Sequence, residues 1–338
     1  MLYLILVMIL RRFTLFFNLL FIMILITGCS PAPVSRTGFF FDTVVTITLH
    51  GGNESDLDAA FELCGLYENL LSKTRDTSDV WRVNNANGQP VGVSDEMIEI
   101  LAISEKYYHL SGGSFDVTCG AETALWDFTG AGAGVIPSPD QLIDAVSRTG
   151  FEYLHIEGNM VWLDNNARLD LGAVAKGYIA DRIAGFLISR GVTGAVIDLG
   201  GDIVTIGQKN DGKPWAVAIR SPQGKYSSGG YAGIVEIKEG AVVTSGVYER
   251  FFEVDGTRYH HILNPQTGMP AETDIMSITV IAGSAAEGDA LSTTCLLLGS
   301  ERAMELIKSL NDEKTLKIDA CLILNDGSVL STKEDLVT

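Results

Sequence analysis

Basic side chains are scarce in this chain: 24 lysines and arginines stand against 42 aspartates and glutamates in 338 residues, a formal net charge of −18. A field of that sign repels phosphate backbones and excludes nucleic acid as a partner held by bulk charge. A phosphorylated ligand would need a local answer, such as a metal ion, a helix N-terminus or a few placed cations. Cysteine is sparse too, at five residues, and no pair has CxxC or zinc-like spacing. Cys64, Cys119, Cys295 and Cys321 lie in apolar contexts and are expected to be buried thiols. The glycine pair in "VIDLGGDIVTIG" lacks the GxGxxG pattern before a helix, so no dinucleotide fold of the Rossmann kind is implied. Charged residues make up 20% of the chain and hydrophobic ones 46%, which is not a disordered composition.

Acids are missing altogether from residues 1–28, where Arg11 and Arg12 precede the apolar run "FTLFFNLLFIMILITG". Basic residues, an apolar stretch and a small-residue end read as a secretory signal over residues 1–28. The ending "LITGCS" resembles a bacterial lipoprotein signal, in which Cys29 is lipidated and becomes the first mature residue. An uncleaved membrane anchor is the alternative. "PAPVSRTG" reads as an extended tether, assigned to residues 29–37. The expected location is the extracytoplasmic face of the cell membrane, held by a lipid anchor.

From residue 38 onward neither a low-complexity linker nor a repeat interrupts the chain. "FFFDTVVTITLH" is β-branched and aromatic and predicts a strand. "SDLDAAFELCGLYENLLSK" predicts a helix capped by Ser55 or Asp56, and "SDEMIEILAISEKYYHLSGG" one capped by Ser94 and stopped at Gly112. "SPDQLIDAVSRTG" predicts a third with Pro139 in its first turn. Short strands follow at 152–156 and 160–163, then a helix from Val174 to Gly191. The second half predicts strands at 194–198, 203–207, 215–220, 232–237, 241–244, 250–254 and 275–281. Two more helices come from "SAAEGDALSTTCLLLG" and "SERAMELIKSLN", and a closing hairpin turns across Asn325-Asp326-Gly327. Strands and helices mixed without βαβ alternation argue an α+β fold with a largely antiparallel sheet.

Four stretches carry chemistry-bearing residues. In "LDLGAVAKGYIADR", Asp170 precedes a helix N-terminus whose N–H groups at Gly172–Val174 favour an anion. Gly172 and Gly177 permit close approach of a ligand or another backbone. Lys176 is oddly placed for a helix dipole, which prefers acids there; a solvated lysine on a capped helix is the plain alternative. In "YHHILNPQTGMP", a histidine suits a general base, and at most one of His260 and His261 should face a site. In "AAEGDALSTTCLLLG", Asp289 and Thr293 share a helix face and are hard oxygen ligands fit for Mg²⁺. A capping acid with a buried threonine is the alternative there.

Taken in order, "LDLGAVAKGYIADR", "IDLGGDI", "TSGVYERFF…YHHILNPQTGMP" and "GDALSTT" resemble the ApbE family of flavin transferases. "FFFDTVVTI", "LLSKTRDTSDVWRVN" and "GGSFDVTCGAETALWDF" fit its first half. The resemblance spans residues 38–331, leaving 332–338 as a tail. It implies an ApbE-like, T-fold-related α+β domain with mixed, largely antiparallel sheets and packed helices. It implies an enzyme that uses Mg²⁺, takes FAD as donor, moves FMN to a serine or threonine hydroxyl of a target protein and releases AMP. By the same resemblance His261 would be the base. Asp170 and Lys176 would contact FAD, Ala124, Leu125 and Trp126 would run along the flavin, and Thr244, Ser245, Gly246 and Ile262 would lie beside it. Phe41 and Thr74 occupy flavin-site positions where many members carry methionine and an aromatic residue. Ala173 would bind the metal through its carbonyl, with Asp289 and Thr293 as side-chain ligands. Acceptors would be extracytoplasmic flavoprotein subunits, such as those of Rnf-type or sodium-pumping quinone reductase complexes. A metal-dependent FAD pyrophosphatase and a non-catalytic flavin-binding lipoprotein are the rival functions.

Overall fold

The β-branched run after residue 38 does not form a single strand. In the computed structural model, which describes residues 32–128, 130, 132–222, 230–313, 316–333 and 336, it folds back as a hairpin of β1 (Val34–Phe40) and β2 (Thr43–His50). Val34 pairs with Leu49 and Phe40 with Thr43. The two turn residues, Phe41 and Asp42, have φ of 54° and 56°, the doubly left-handed geometry that matches strand twist in a two-residue turn. Neither is the glycine or asparagine that usually announces such a turn, so the pattern alone hides it. The hairpin also claims Val34 to Thr37 from the expected tether, because their backbones pair with β2 and Arg36 is clamped by Glu54 and Asp58. Residues 1–31, with the expected signal and Cys29, lie outside the described residues.

Residues 33–338 form one unit. Its spine is an eight-stranded sheet in the order β1-β2-β6-β7-β10-β13-β14-β15, where β6 is Gly194–Leu199, β7 Asp202–Gly207, β10 Gly240–Gly246, β13 Ile275–Ala282, β14 Asp319–Leu324 and β15 Val329–Ser331. Every neighbouring pair in it is antiparallel. A small sheet joins β3 (Val91–Gly92), β4 (Leu154–Glu157) and β5 (Met160–Leu163), and two ribbons pair β8 (Trp215–Arg220) with β9 (Tyr231–Ile237) and β11 (Phe251–Val254) with β12 (Thr257–His260). A turn of 3-10 helix at Phe151–Tyr153 takes the start of the strand expected at 152–156. The α+β class and largely antiparallel sheet are as the sequence implied.

The helices are α1 (Glu54–Leu71), α2 (Asp79–Asn84), α3 (Asp95–Ser111), α4 (Gly120–Thr123), α5 (Pro139–Val146), α6 (Ala175–Ser189), α7 (Ala285–Leu298) and α8 (Ser300–Asp312). Ser94 caps α3 and Gly112 ends it in the left-handed region, and Ser138 caps α5 ahead of Pro139, as their spacing predicts. The cap of α1 is Asn53, two residues before Ser55 and three before Asp56, because Asn53 and Asp56 form a reciprocal capping box. One core cluster contains Ile47 and Leu49 of β2, Leu57 of α1, Ile179, Ile183 and Leu187 of α6, and Leu291 and Leu296 of α7. Cys64, Cys295 and Cys321 are buried free thiols, while Cys119 is free and only partly buried. Among the described residues no helix is long and apolar enough to cross a membrane.

Candidate functional site

The glycine at position 177 explains how the two key helices meet. A Cβ there would lie 2.2 Å from the Ala285 carbonyl oxygen and 2.8 Å from Asp289 Cβ. Its absence lets α6 and α7 touch backbone to side chain. The Gly177 N–H then donates to Asp289 Oδ2 at 3.1 Å. Within a regular helix that N–H would bond to the Ala173 carbonyl; here the carbonyl is left unused by the helix. Thus the N-terminus of α6, expected to receive an external anion, already holds a carboxylate of its own chain. The neighbouring N–H of Gly172 is likewise taken by Asp170 Oδ1 at 2.9 Å, and those of Val174 and Ala175 by the Leu171 carbonyl.

Lys176 is half-buried and paired with acids. Its Nζ donates to Asp202 Oδ2 at 2.6 Å and stands 3.5 Å from Asp289 Oδ1, at the outer limit of a hydrogen bond. Asp202 and Asp289 side chains are each 2% exposed. Burial works against the Lys176 charge, but Asp202 and Asp289 outweigh it and hold the ammonium above its usual range. Burial and the Asp289 charge lift the Asp202 carboxyl above the ordinary carboxylate range, against the pull of Lys176. Glu249 adds negative charge to the same cluster. Asp202 escaped the sequence reading, which saw only a tight turn at Gly200-Gly201; that turn, with φ of 65° and 104°, is what aims it. One turn beyond Asp289 on α7 lies the partly exposed Thr293. Ser292 ties α7 to β10, its hydroxyl meeting Ser245 Oγ at 2.7 Å and donating to the Asp289 carbonyl at 2.9 Å.

Among the described residues no group of three acids, histidines or cysteines could hold a metal. The oxygens present fit a hard cation of another make-up. Among the described residues Asp289 is met by one backbone N–H and a long lysine contact, which leaves carboxyl oxygen lone pairs for a further partner such as a cation. The unused Ala173 carbonyl and the Thr293 hydroxyl are oxygen donors on the adjoining turns, the ligand type that suits Mg²⁺.

A cavity of about 370 Å³ is lined in part by Lys73, Thr74, Trp81, Ala124, Trp126 and Arg168. Trp126 is buried, donates its indole N–H to the Gly268 carbonyl at 2.9 Å, and stacks on Phe128 and Tyr259 at 5.6 and 6.0 Å. Phe252 completes this aromatic wall, 5.4 Å from Tyr259. Leu125 sits half-buried between Ala124 and Trp126. Asp170 borders the cavity and accepts from Lys73 Nζ at 2.7 Å and Thr123 Oγ1 at 2.6 Å. Burial would raise its carboxyl, but Lys73, Thr123 and the Gly172 N–H together hold it below the usual range. Lys73 and Thr123 carried no signal in the sequence, since only the fold brings Lys73 to an acid 97 positions away.

The adjacent histidines differ. His260 is buried, its Nε2 against the Ala271 carbonyl at 3.2 Å. His261 sets Nδ1 3.2 Å from the Arg250 carbonyl. A carbonyl only accepts, so Nδ1 carries the proton and Nε2 presents a lone pair. Burial, with the cations Arg250 and Lys176 nearby, pushes the His261 imidazole down to about 3. Its ring meets Phe128 edge-on at 6.4 Å.

The structure therefore gathers Thr74, Ala124 and Trp126 on one cavity, with Asp170 at its border, and Lys176, Ala173, Asp289, Thr293 and Ser245 around the α6–α7 contact. Thr244 is engaged by Thr279 at 2.8 Å, Gly246 packs under Tyr248, and Ile262 is buried with its carbonyl on the Ala271 N–H. Phe41 lies at the β1–β2 turn, its N–H on Glu68 Oε1 at 2.9 Å.

The sequence profile of the ApbE family matches residues 41–316. The FAD:protein FMN transferase of Treponema pallidum is 36% identical over 290 residues, covering 81% of this chain and 78% of that one. The protein of the same description from Vibrio cholerae is 34% identical over 242 residues, 71% of this chain and 72% of its own. Among solved structures, the ApbE protein of Thermotoga maritima superposes with a TM-score of 0.81 at 29% identity, over 89% of this chain and 97% of that one. The flavin transferase ApbE of Vibrio cholerae does so at 0.79 and 28%, over 89% and 97%.

Proposed function

The chain belongs to the ApbE family and is by that membership a flavin transferase, and from this premise we propose a Mg²⁺-dependent transfer of FMN from FAD to a serine or threonine hydroxyl of a target protein, with AMP released. The observation that carries the finer reading is Asp289 in only marginal contact with Lys176, together with a cavity lined in part by Trp81 and Trp126. The acceptor oxygen attacks the phosphorus of the FMN half, a phosphoester forms, the bond from that phosphorus to the bridging oxygen breaks, and AMP leaves with the bridging oxygen.

The geometry supports each role in turn. Trp126, with Phe128 and Tyr259 stacked behind it, offers a rigid apolar face for the isoalloxazine and keeps bulk water from the phosphorus. Asp170, ionised and anchored by three donors, accepts from ligand hydroxyl or amino groups at the cavity border. Asp289, the Ala173 carbonyl and Thr293 would hold Mg²⁺. Bound there, the ion neutralises diphosphate charge as a Lewis acid, which a chain of net charge −18 cannot do by its overall field. His261 is neutral at physiological pH, and its Nε2 takes the proton from the acceptor hydroxyl, whose own pKa is far too high for attack.

Residues 1–28 and Cys29 support an extracytoplasmic, lipid-anchored enzyme, and the family resemblance supports flavoprotein subunits of Rnf-type or sodium-pumping quinone reductase complexes as its acceptors. Incubation with FAD, Mg²⁺ and such an acceptor domain is the test. Covalently flavinylated acceptor supports the proposal. Free FMN plus AMP without labelled acceptor replaces it with a pyrophosphatase, and unchanged FAD with a binding protein.

A further inference from the structure

Two buried carboxylates compete for one ammonium. Lys176 Nζ is in full contact with Asp202 and in marginal contact with Asp289. The two acids are not equally free to move. Asp289 is pinned by the Gly177 N–H at a helix contact that leaves no room for a Cβ. Asp202 is pinned as the first residue of β7, paired with Leu199 across the hairpin and with Val243 of β10. Lys176 alone has a flexible stem. A divalent cation entering at Asp289 meets Nζ in its way unless something else holds the ammonium, and the two positive charges would repel.

We propose that Asp202 is a positioning residue: it holds the Lys176 ammonium off Asp289 and so keeps Asp289 open to a divalent cation. This rests on the assignment of Asp289 as a metal ligand. Without Asp202, the nearest remaining carboxylate for Nζ is Asp289, and the lysine closes the metal site from within. Asp202 is thus an acid that promotes metal binding without touching the metal. The chain of action runs through Lys176, which makes the idea separable from a simple loss of negative charge.

The test is Mn²⁺ binding to the full-length protein without FAD, read from the free-ion EPR signal, for wild type, Asp202→Asn, Lys176→Met and the double variant. Loss of an outer-shell partner of a metal ligand costs about 10–100-fold in affinity, and Asp202→Asn is expected to fall by that much. Lys176→Met should bind at least as tightly as wild type. The double variant carries a neutral pair where wild type has an ion pair, so it keeps the fold even where a single variant strains it, and its affinity should return to near wild type. A double variant as weak as Asp202→Asn overturns the proposal, because Asp202 then acts directly as a ligand or charge. A wild type that binds no Mn²⁺, or an Asp289→Ala protein that binds it normally, overturns the metal assignment itself.

Discussion

Alanine in place of glycine should have opposite effects at two positions of the same helix, and the difference can be worked from contacts. In α6, Gly185 is exposed and a Cβ there meets nothing within 4 Å, whereas at Gly177 it would sit 2.2 Å from the Ala285 carbonyl oxygen. Gly185→Ala should stabilise by up to about 1 kcal/mol, the helix-propensity difference between the two residues. Gly177→Ala gains the same ~1 kcal/mol of propensity but forces stiff backbone apart. Overpacking of that kind costs about 1–3 kcal/mol. Parting the helices also breaks the bond from Gly177 N–H to the Asp289 carboxylate, worth about 1.5–3 kcal/mol for a hydrogen bond to such a group. The net for Gly177→Ala is a loss of about 1.5–5 kcal/mol. Urea unfolding of both variants at equal pH and salt gives the comparison through their midpoints, with unchanged slopes required for the reading to apply. Equal stabilisation by both alanines would refute the helix-contact argument, and with it the account of how Asp289 is held in place.

Asp289→Ala should abolish flavin transfer in a protein that still folds; Mg²⁺-dependent turnover surviving in that variant removes the metal assignment. His261→Ala should lower single-turnover flavinylation about 10²–10⁴-fold at unchanged FAD affinity, while His260→Ala should alter the rate little. A crippled His260→Ala enzyme would reverse the choice of base. Because the His261 imidazole is pushed down to about 3, it stays neutral as pH falls well below 6.5. The kcat/KM profile should therefore show no acid limb from this group near 6.5; a limb there that His261→Ala abolishes would contradict the placement. Glu122 of α4 is fully buried, and burial lifts its carboxyl to about 8. Its folded pKa lies above its unfolded value near 4.5, so the native state binds the extra proton and stability should fall as pH rises from about 4.5 to 8. Glu122→Gln should flatten that slope in pH-dependent urea melts; an identical slope in the variant would show that Glu122 is not its source.

What local sequence determined here are features whose physics is short-range. Ser94 and Gly112 bracket α3, and Ser138 with Pro139 opens α5, because a cap satisfies backbone groups only a few residues away. Alternating β-branched residues placed the strands of the second half, and Gly200-Gly201 and Asn325-Asp326-Gly327 placed their turns. The ordered motifs around Asp170, Gly200, His261 and Asp289 identified the family before any geometry was known. Where the chain turned without a turn residue, at Phe41-Asp42, the pattern misled: sheet pairing on both sides stabilises a left-handed aromatic residue that its own propensity disfavours. The partners of each charged group were decided only by tertiary structure. Lys176 meets Asp289 across 113 positions and Lys73 meets Asp170 across 97. Those pairings depend on how closely helices and strands approach, and the approach of α6 to α7 is set by one missing methyl group at Gly177. A residue's type and spacing state what chemistry it can do. Which charge neutralises which, and which carbonyl or carboxylate is left over for a cation, follows from packing between segments distant in the chain.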